Sequence, residues 1–212
     1  MAKAMDIQTS TSIWRWQLNW SVIRHDLVIG SCPRSLSSLD QIRAESKVSA
    51  ILSVQHDECL EKLEIDYPRL VRHGQTLGLS MQRSPMRDFD IEDQRHQLPN
   101  AVRALHYLLS QGHCVYLHCT AGINRSPLTA LAYLTWVEGQ RLDEALVLLR
   151  QARPEVYPYL DAYEGCFQDL SAAHARQIQA RTEELNRQYP RQIAQACRLQ
   201  AAQEIIRDVL II

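Results

Sequence analysis

The chain has 212 residues, of which 46% are hydrophobic and 22% are charged, proportions typical of a folded domain and unlike those of a disordered chain. Its 23 Lys and Arg residues against 24 Asp and Glu residues leave a formal net charge of −1, so we expect neither a nucleic-acid nor an anionic-lipid partner. No run of residues approaches the length of about 18 apolar residues that a membrane helix needs, and the polar first residues do not resemble a signal peptide.

The first half of the chain alternates short apolar runs with helical patterns. Residues 1–20 form a polar N-terminal segment that includes three tryptophans, Trp14, Trp16 and Trp20. The pattern predicts a strand over Leu27–Ser31, a capping box over Ser38–Gln41 that begins a helix ending near Ser46, and a buried strand over Val48–Val54. Residues 56–87 are punctuated by proline and glycine, and we expect mostly loop there with one short helix.

The second half continues the alternation of helix and strand. The pattern predicts a helix over Gln97–Gln111 that stops at Gly112, followed by a strand over Cys114–His118. Two further helices are predicted, Pro127–Glu138, ended by Gly139, and Leu142–Ala152. Strands that alternate with helices indicate an α/β fold with a central, mostly parallel sheet flanked by helices.

From about Tyr159 the pattern is helical to the end, with an interruption at Pro190. Apolar residues then recur every four positions, which predicts an amphipathic helix that packs back on the domain; a partner-binding helix or a dimer contact is the alternative. These residues are Ile193, Cys197, Ala201, Ile205 and Val209. We therefore expect a main domain over residues 21–170 and a helical C-terminal extension over residues 171–212.

The stretch HCTAGINRSP, residues 118–127, joins a predicted strand to a predicted helix, which is where open α/β sheets bind ligands. A cysteine followed by five residues and an arginine suits a phosphate cradle, because the loop N–H groups and the helix dipole attract an anion. Arg125 can hold two phosphate oxygens, and the same positive field lowers the pKa of Cys119 below ~8.5. The pattern predicts that the Cys119 thiolate attacks a phosphate monoester.

The residues predicted to line this phosphate cradle are Thr120, Ala121, Gly122, Ile123, Asn124 and Ser126. Gly122 permits a close backbone approach, and the Ser126 hydroxyl can donate a hydrogen bond to the cysteine sulfur. His118 is expected to order the loop through hydrogen bonds to the backbone. Two alternative interpretations of the same cysteine–arginine spacing are a rhodanese-like or arsenate-reductase site and a chance occurrence in a buried turn.

Around this loop the sequence resembles the cysteine-dependent dual-specificity phosphatases of the protein tyrosine phosphatase superfamily. Over roughly residues 20–170 it resembles the catalytic domain of plant starch phosphatases, which are glucan phosphatases. The resembling segments are Leu27–Pro33, Arg87–Asp90, Gln97–Pro99, Tyr116–Gly122, Leu131–Gly139 and Tyr157–Ala162. The resemblance implies a dual-specificity phosphatase-like fold and makes residues 21–170 the catalytic domain.

The resemblance also implies roles for single residues. It makes Cys119 the nucleophile, Arg125 the phosphate clamp and Asp88 the general acid, with Asp90 and Asp93 as nearby competitors for the last role. It further implies that two aromatic residues contact sugar, although a core position is the alternative for the first of them. These aromatic residues are Phe89 and Tyr157.

The substrate class stays open in the sequence. Asn124 stands where glucan phosphatases usually have glycine, and Ser126 stands where starch phosphatases tend to have alanine. A phosphorylated glucan, starch-like or glycogen-like, is the first expectation, and a protein phosphorylated on tyrosine, serine or threonine is the alternative. A glucan- or phosphoprotein-binding scaffold with little turnover is the third hypothesis.

The remaining expectations concern cofactors and location. The chemistry requires no metal and no cofactor, and the sequence leaves the oligomeric state open. The six cysteines show neither a C-x-x-C pair nor a zinc-site spacing, which fits thiols in a reducing compartment. We therefore expect a cytoplasmic protein, or one of the plastid stroma if the source is a plant or alga.

Overall fold

A central sheet organises the computed structural model, which describes residues 16–190 and 193–211. Within these residues the sheet has five strands in the order β1-β2-β5-β3-β4. The strands are β1 (Trp20–Arg24), β2 (Leu27–Gly30), β3 (Ala50–Gln55), β4 (Ser80–Met86) and β5 (Val115–His118). Only the pairing of β1 with β2 is antiparallel in this described sheet, so the prediction of a mostly parallel sheet is confirmed.

Helices cover the sheet and continue beyond it. They are α1 (Leu36–Glu45), α2 (Asp57–Lys62), α3 (Tyr67–Thr76), α4 (Ile91–Ser110), α5 (Arg125–Ala132), α6 (Leu142–Ala152), α7 (Leu160–Ala173), α8 (Ala175–Gln188) and α9 (Ala194–Ile211). A π-helical segment, Tyr133–Val137, follows α5 directly. In the described part of the chain no helix is both long enough and apolar enough to cross a membrane.

The two faces of the sheet carry separate apolar cores, because successive side chains of a strand point to opposite faces. Ile29 and Leu117 lie in the larger core, with residues of α4, α5, α6, α7 and α9. Val28 and Tyr116, their neighbours along the same strands, lie in the second core with residues of α1 and α3. The central strands β3 and β5 are buried along their whole length, as the continuous apolar runs in their sequences predict.

The prediction of mostly loop over residues 56–87 is wrong, because this stretch forms α2, α3 and the edge strand β4. Pro68 lies in the first turn of α3, where its missing N–H is not needed for the helix. Gly74 lies inside α3, where an added Cβ would meet the Met81 side chain. Pro85 lies on β4, which pairs only with β3 among the described strands. Three of the four residues taken as loop signals thus lie inside regular elements, and only Gly78, with a φ of +72°, lies in a turn, between α3 and β4.

Several predicted boundaries also differ from the structure. The first helix begins at Leu36, two residues before the predicted capping box, because the Ser35 hydroxyl caps it by accepting from the Ser38 N–H. Helix α4 begins at Ile91 because Asp90 caps it. Strand β1 was not predicted, and Trp14 lies outside the described residues.

The helix predicted over Pro127–Glu138 begins earlier and changes character midway. It starts at Arg125, and its α-helical part ends at Ala132, where the π-helical segment takes over. The Thr135 hydroxyl in this segment donates to the Leu131 carbonyl at 2.8 Å. The predicted stop at Gly139 stands, since this residue has a φ of +74° after the last helical residue.

Helix α9 packs back against the sheet-covering helices. Ile206 and Leu210 are buried in the larger core, whereas Cys197 and Ala201 pack with residues of α8. The predicted four-residue stripe is only partly right. Ile193, its first residue, is 76% exposed, and in the last turns the fully buried residues are Ile206 and Leu210 and not the predicted Ile205 and Val209. A strict four-residue spacing drifts about 40° per step around a helix of 3.6 residues per turn, so the stripe leaves the buried face.

The packing of α9 predicts a difference between two isoleucine variants. Ile206→Ala should lower the free energy of unfolding by about 2–5 kcal/mol, because it removes a fully buried side chain. Ile193→Ala, the exposed control, should change it by less than about 0.5 kcal/mol. Urea unfolding of both variants measures the difference, and equal effects would contradict the packing described.

Candidate active site

The loop of residues 119–124 lies between β5 and α5, at the carboxyl edge of the parallel strands. Cys119, the first loop residue, is only 2% exposed, and Arg125, the first residue of α5, is fully buried. The N–H groups at the start of α5 and the helix dipole therefore face the cysteine side of the loop. This local geometry gives the loop the form of an anion-binding turn.

The Cys119 sulfur accepts hydrogen bonds from within the loop and from α5. The Gly122 N–H lies 3.3 Å from Sγ, and the Ser126 hydroxyl oxygen lies 3.4 Å from it. Burial raises the pKa of the Cys119 thiol, but the charge of Arg125 and the hydrogen bonds from Ser126 and Gly122 outweigh it and hold the pKa below its ordinary value. The sulfur is therefore disposed to be a thiolate, the nucleophilic form of cysteine.

The Arg125 guanidinium connects four parts of the site. Its Nη2 donates to Asp88 Oδ2 at 2.7 Å and to Thr120 Oγ1 at 3.1 Å. Its Nη1 donates to the Met86 carbonyl at 2.9 Å and to Cys59 Sγ at 3.4 Å. Its Nε is buried and makes no hydrogen bond within the described residues. An incoming oxyanion can thus take the Nε–H and compete with Asp88 for Nη2.

The structure distinguishes Asp88 from the two neighbouring carboxylates. Asp88 lies on Arg125, with about a quarter of its side chain exposed. Asp90 instead caps α4 by accepting from the Asp93 N–H at 2.9 Å, and Asp93 accepts from the Arg87 N–H at 2.6 Å. The two competitors are thus used in building the turn that holds Asp88 over the loop.

Four consecutive loop carbonyls, those of residues 120–123, are held by groups outside the cradle. The donors are the Cys32 N–H to Thr120 O (3.0 Å), the Arg153 side chain to Ala121 O and Gly122 O (2.8 Å each), and the Tyr157 N–H to Ile123 O (2.6 Å). Because the C=O and N–H of a trans peptide point in opposite directions, outward carbonyls turn the loop N–H groups inward. The cradle is therefore arranged to hold an anion.

Three further residues shape the loop. His118 Nδ1 lies 3.0 Å from the Cys119 carbonyl, and burial lowers the pKa of His118 to about 4, so its imidazole is neutral at neutral pH. Gly122 has a φ of +72°, and an added Cβ there would meet the Gly30 carbonyl. Asn124 precedes α5 without capping it through its side chain, and its Oδ1 is buried without a partner within the described residues.

The two aromatic residues predicted to contact substrate are exposed. Phe89 is 83% exposed and adopts a φ of +58°, a conformation that is uncommon for a bulky residue, so the core alternative for it is excluded. Tyr157 is 68% exposed, and its backbone N–H is bonded to Ile123 in the loop. Phe89 directly follows Asp88, so the backbones of both aromatic residues lie close to the anion cradle.

Sequence reasoning missed two residues of this site. Gln55, at the buried end of β3, donates through Nε2 to Thr120 Oγ1 at 3.1 Å. A polar residue closing an apolar strand was an available signal, since the ends of parallel strands meet at the ligand edge of the sheet. Arg153, which holds two loop carbonyls, gave no local signal, because its contact depends on how α6 ends against the loop.

Comparison with known proteins agrees with this geometry. A family model described as the dual specificity phosphatase catalytic domain matches residues 34–163. The chain belongs to this family. The resemblance indicated by the sequence is therefore confirmed, and the fold is the one that the resemblance implied.

Two relatives match more than two thirds of this chain. The chain is 35% identical over 155 residues to the amyloplastic phosphoglucan phosphatase DSP4 of Castanea sativa, covering 72% of this chain and 41% of that protein. It is 31% identical over 164 residues to laforin of Mus musculus, covering 73% of this chain and 50% of that protein. The chain thus spans half or less of the length of these two relatives.

A solved structure shows the same fold. A kinase associated phosphatase whose catalytic-site cysteine is replaced by serine matches with a TM-score of 0.58. The match covers 74% of this chain and 97% of that chain at 19% identity. Within the described residues, no group of three or more His, Cys, Asp or Glu side chains is placed to hold a metal ion.

Because Gly122 lies close to Gly30, replacing it with alanine should have a larger effect than the same replacement at Gly112. Gly112 also has a positive φ, but an added Cβ there would meet nothing within 4 Å. Gly112→Ala should therefore lose only the roughly 1–2 kcal/mol of a left-handed residue and keep its affinity for vanadate, a tetrahedral oxyanion.

Gly122→Ala should lose more stability than Gly112→Ala and should also lose most of its vanadate affinity, because the loop must shift away from Gly30. Urea unfolding and vanadate titration of both variants measure these effects. Equal vanadate affinity in the two variants would contradict the geometry of the loop.

Proposed function

We propose that this chain is a cysteine-dependent phosphatase that hydrolyses phosphomonoesters through a phosphocysteine intermediate. The observation that carries the proposal is the position of the Cys119 sulfur, whose lowered pKa favours the thiolate, at the N-terminus of α5 beside the buried Arg125. A thiolate inside an anion cradle is both a nucleophile and the neighbour of the bound phosphorus. Membership of the dual specificity phosphatase family supports the same chemistry.

In the first step, the Cys119 thiolate attacks phosphorus, an S–P bond forms and the P–O bond to the alcohol breaks. Asp88 gives its proton to the departing oxygen, while Arg125 and the loop N–H groups hold the phosphoryl oxygens. In the second step, Asp88 as carboxylate takes a proton from water, the water oxygen attacks phosphorus and the S–P bond breaks. The Ser126 hydroxyl, 3.4 Å from the sulfur, stabilises the thiolate that departs.

The contact between Asp88 and Arg125 supports this assignment of the acid. Both hydrogens of Arg125 Nη2 are used, one by Asp88 and the other by Thr120. A phosphate oxygen that binds Nη2 displaces the Asp88 carboxyl, which then lies free beside the phosphoryl group. Substrate binding itself thereby releases the acid for its task.

A comparison of Asp88 with Asp90 tests which aspartate is the general acid. Asp88→Asn should lower kcat on an alkyl phosphate by about 10²–10⁴-fold, because a poor leaving group needs the proton. Asp90→Asn, the control, should keep its activity, since asparagine also caps helices well. Steady-state kinetics on alkyl and nitrophenyl phosphates measure both variants, with a smaller loss expected for the nitrophenyl ester. An equal loss in the two variants would exclude Asp88 as the acid.

The substrate proposed for this site is a phosphorylated glucan. The name of one relative, a phosphoglucan phosphatase, supports this class. The exposed side chains of Phe89 and Tyr157, whose backbones lie close to the cradle, support it as well, because exposed aromatic faces can pack against sugar rings. A phosphoprotein is the second candidate, favoured by Asn124 and Ser126 in the loop and by relatives named dual specificity protein phosphatases.

The proposal extends to the layout and place of the chain. We keep residues 21–170 as the proposed catalytic domain and residues 171–212 as an extension that holds α8 and α9. A reducing compartment suits the thiolate of Cys119. The plastid is the proposed location in a plant, supported by relatives named amyloplastic and chloroplastic, and the cytoplasm elsewhere.

Phosphate release from phosphorylated amylopectin, normalised to release from an aryl phosphate, tests the glucan substrate. Wild type should act on both substrates, Phe89→Ala should lose mainly the amylopectin activity, and Cys119→Ser should lose both. Aryl phosphate activity without amylopectin release would move the proposal to phosphoproteins. Equal, slow hydrolysis by wild type and Cys119→Ser would instead leave a binding scaffold.

A further inference from the structure

We propose that Arg153 is a positioning residue that fixes two peptides of the loop with their N–H groups toward the Cys119 sulfur and the bound phosphate. This inference rests on the proposed function, since it assigns a role in the same site. Arg153 is the last residue before Pro154 and follows α6, outside the loop itself. Its side chain touches neither the sulfur nor Arg125 by any hydrogen bond of the described residues.

The geometry of Arg153 is that of a two-point clamp. The residue is 4% exposed, its Nε donates to Gly122 O at 2.8 Å and its Nη2 donates to Ala121 O at 2.8 Å. Nη2 also donates to Asn19 Oδ1, which fixes the guanidinium from the opposite side. Asn19 is itself bonded to Ser31 next to β2, so the clamp is anchored on the sheet.

The clamp acts on the peptides that face the sulfur. The Ala121 carbonyl and the Gly122 N–H belong to the same peptide group. The nitrogen of this N–H lies 3.3 Å from Cys119 Sγ. The next peptide carries the Gly122 carbonyl and the N–H of Ile123. Since C=O and N–H point in opposite directions, a donor that holds each carbonyl outward keeps each N–H inward. A cation on the carbonyl also polarises the peptide and strengthens its N–H as a donor.

Such a clamp is needed because the peptides on either side of Gly122 could otherwise change their orientation. Glycine populates positive and negative φ almost equally, so the peptides on either side of it can rotate at little cost. Rotation would point a carbonyl oxygen at the thiolate and the phosphate, where an oxygen acceptor is repelled. Arg153 prevents this rotation through contacts that reach across 31 and 32 residues of chain.

The charge of Arg153 also argues for a role beyond packing. Within the described residues no carboxylate lies at ion-pair distance from it, although the residue is buried. A buried charge without a counter-ion is costly to a folded chain, and the anions nearest to this region are the Cys119 thiolate and the phosphate in the cradle. The guanidinium therefore adds positive potential behind the loop, at the carbonyl oxygens of Ala121 and Gly122.

The test compares Arg153→Met with Arg150→Met, which removes an exposed arginine of α6 three residues earlier. In Arg153→Met the Kd for vanadate, measured by titration of the protein, should rise roughly tenfold or more, and the pH midpoint of Cys119 alkylation by iodoacetamide should move upward. Arg150→Met should leave both within about twofold of wild type. The alkylation midpoint is the readout that a merely structural role would not move, because it reports the thiolate of the folded protein.

Arg153→Lys covers the case in which the methionine variant does not fold. An ammonium group lacks the planar fork that presents Nε and Nη2 to the two carbonyls, so this variant should fold and show a smaller change in the same direction. If both variants fold, a wild-type alkylation midpoint and a wild-type vanadate Kd in both would overturn the proposal. If Arg153→Met does not fold, wild-type values in Arg153→Lys would overturn it. Neither readout requires turnover. Failure of the proposed phosphatase activity is therefore detected separately, because wild type would then not hydrolyse an aryl phosphate.

Discussion

The charge of a fully buried arginine beside a buried cysteine sulfur is the constraint around which this molecule is built. Burial disfavours both the Arg125 cation and the Cys119 thiolate, yet each makes the other favourable, so the pKa of the thiol falls and that of the guanidinium rises. The guanidinium also binds the Met86 carbonyl at the end of β4, Asp88 in the turn that follows, and Cys59 of α2. Elements far apart in sequence are thereby held around one charge.

The topology of the sheet makes this arrangement possible. Strands β3, β4 and β5 run parallel, so the segments that follow them meet at one edge. Gln55 ends β3, the turn with Asp88 follows β4, and the loop with Cys119 follows β5. Phe89, the next residue after Asp88, lies in the same turn, whereas Tyr157 reaches the loop from the segment after α6. The residues of the proposed chemistry thus meet at one edge because the strands before them are parallel.

What the sequence predicts well is what lies close together in it. The strand, the glycine-containing turn and the helix around Cys119 are consecutive, so local patterns sufficed for the cradle. Asp88 could be named only through a family resemblance, because nothing local separates it from Asp90 and Asp93; the structure separates them by which one reaches Arg125. Arg153 could not be predicted, since its contacts join a helix end to a loop through tertiary packing. Residues 56–87 misled for a related reason, because proline and glycine there serve a helix start, a close contact and a sheet edge.

The central claim is that Arg125 makes Cys119 a thiolate, and an ultraviolet pH titration tests it most directly. The thiolate absorbance of Cys119 is obtained as the difference between wild type and Cys119→Ser, and the same difference is measured in an Arg125→Met background with folding checked by circular dichroism. The account predicts a midpoint below ~8.5 in wild type and a higher midpoint in Arg125→Met, where only the hydrogen bonds from Ser126 and Gly122 still oppose the effect of burial. An equal midpoint in the two backgrounds would contradict the account.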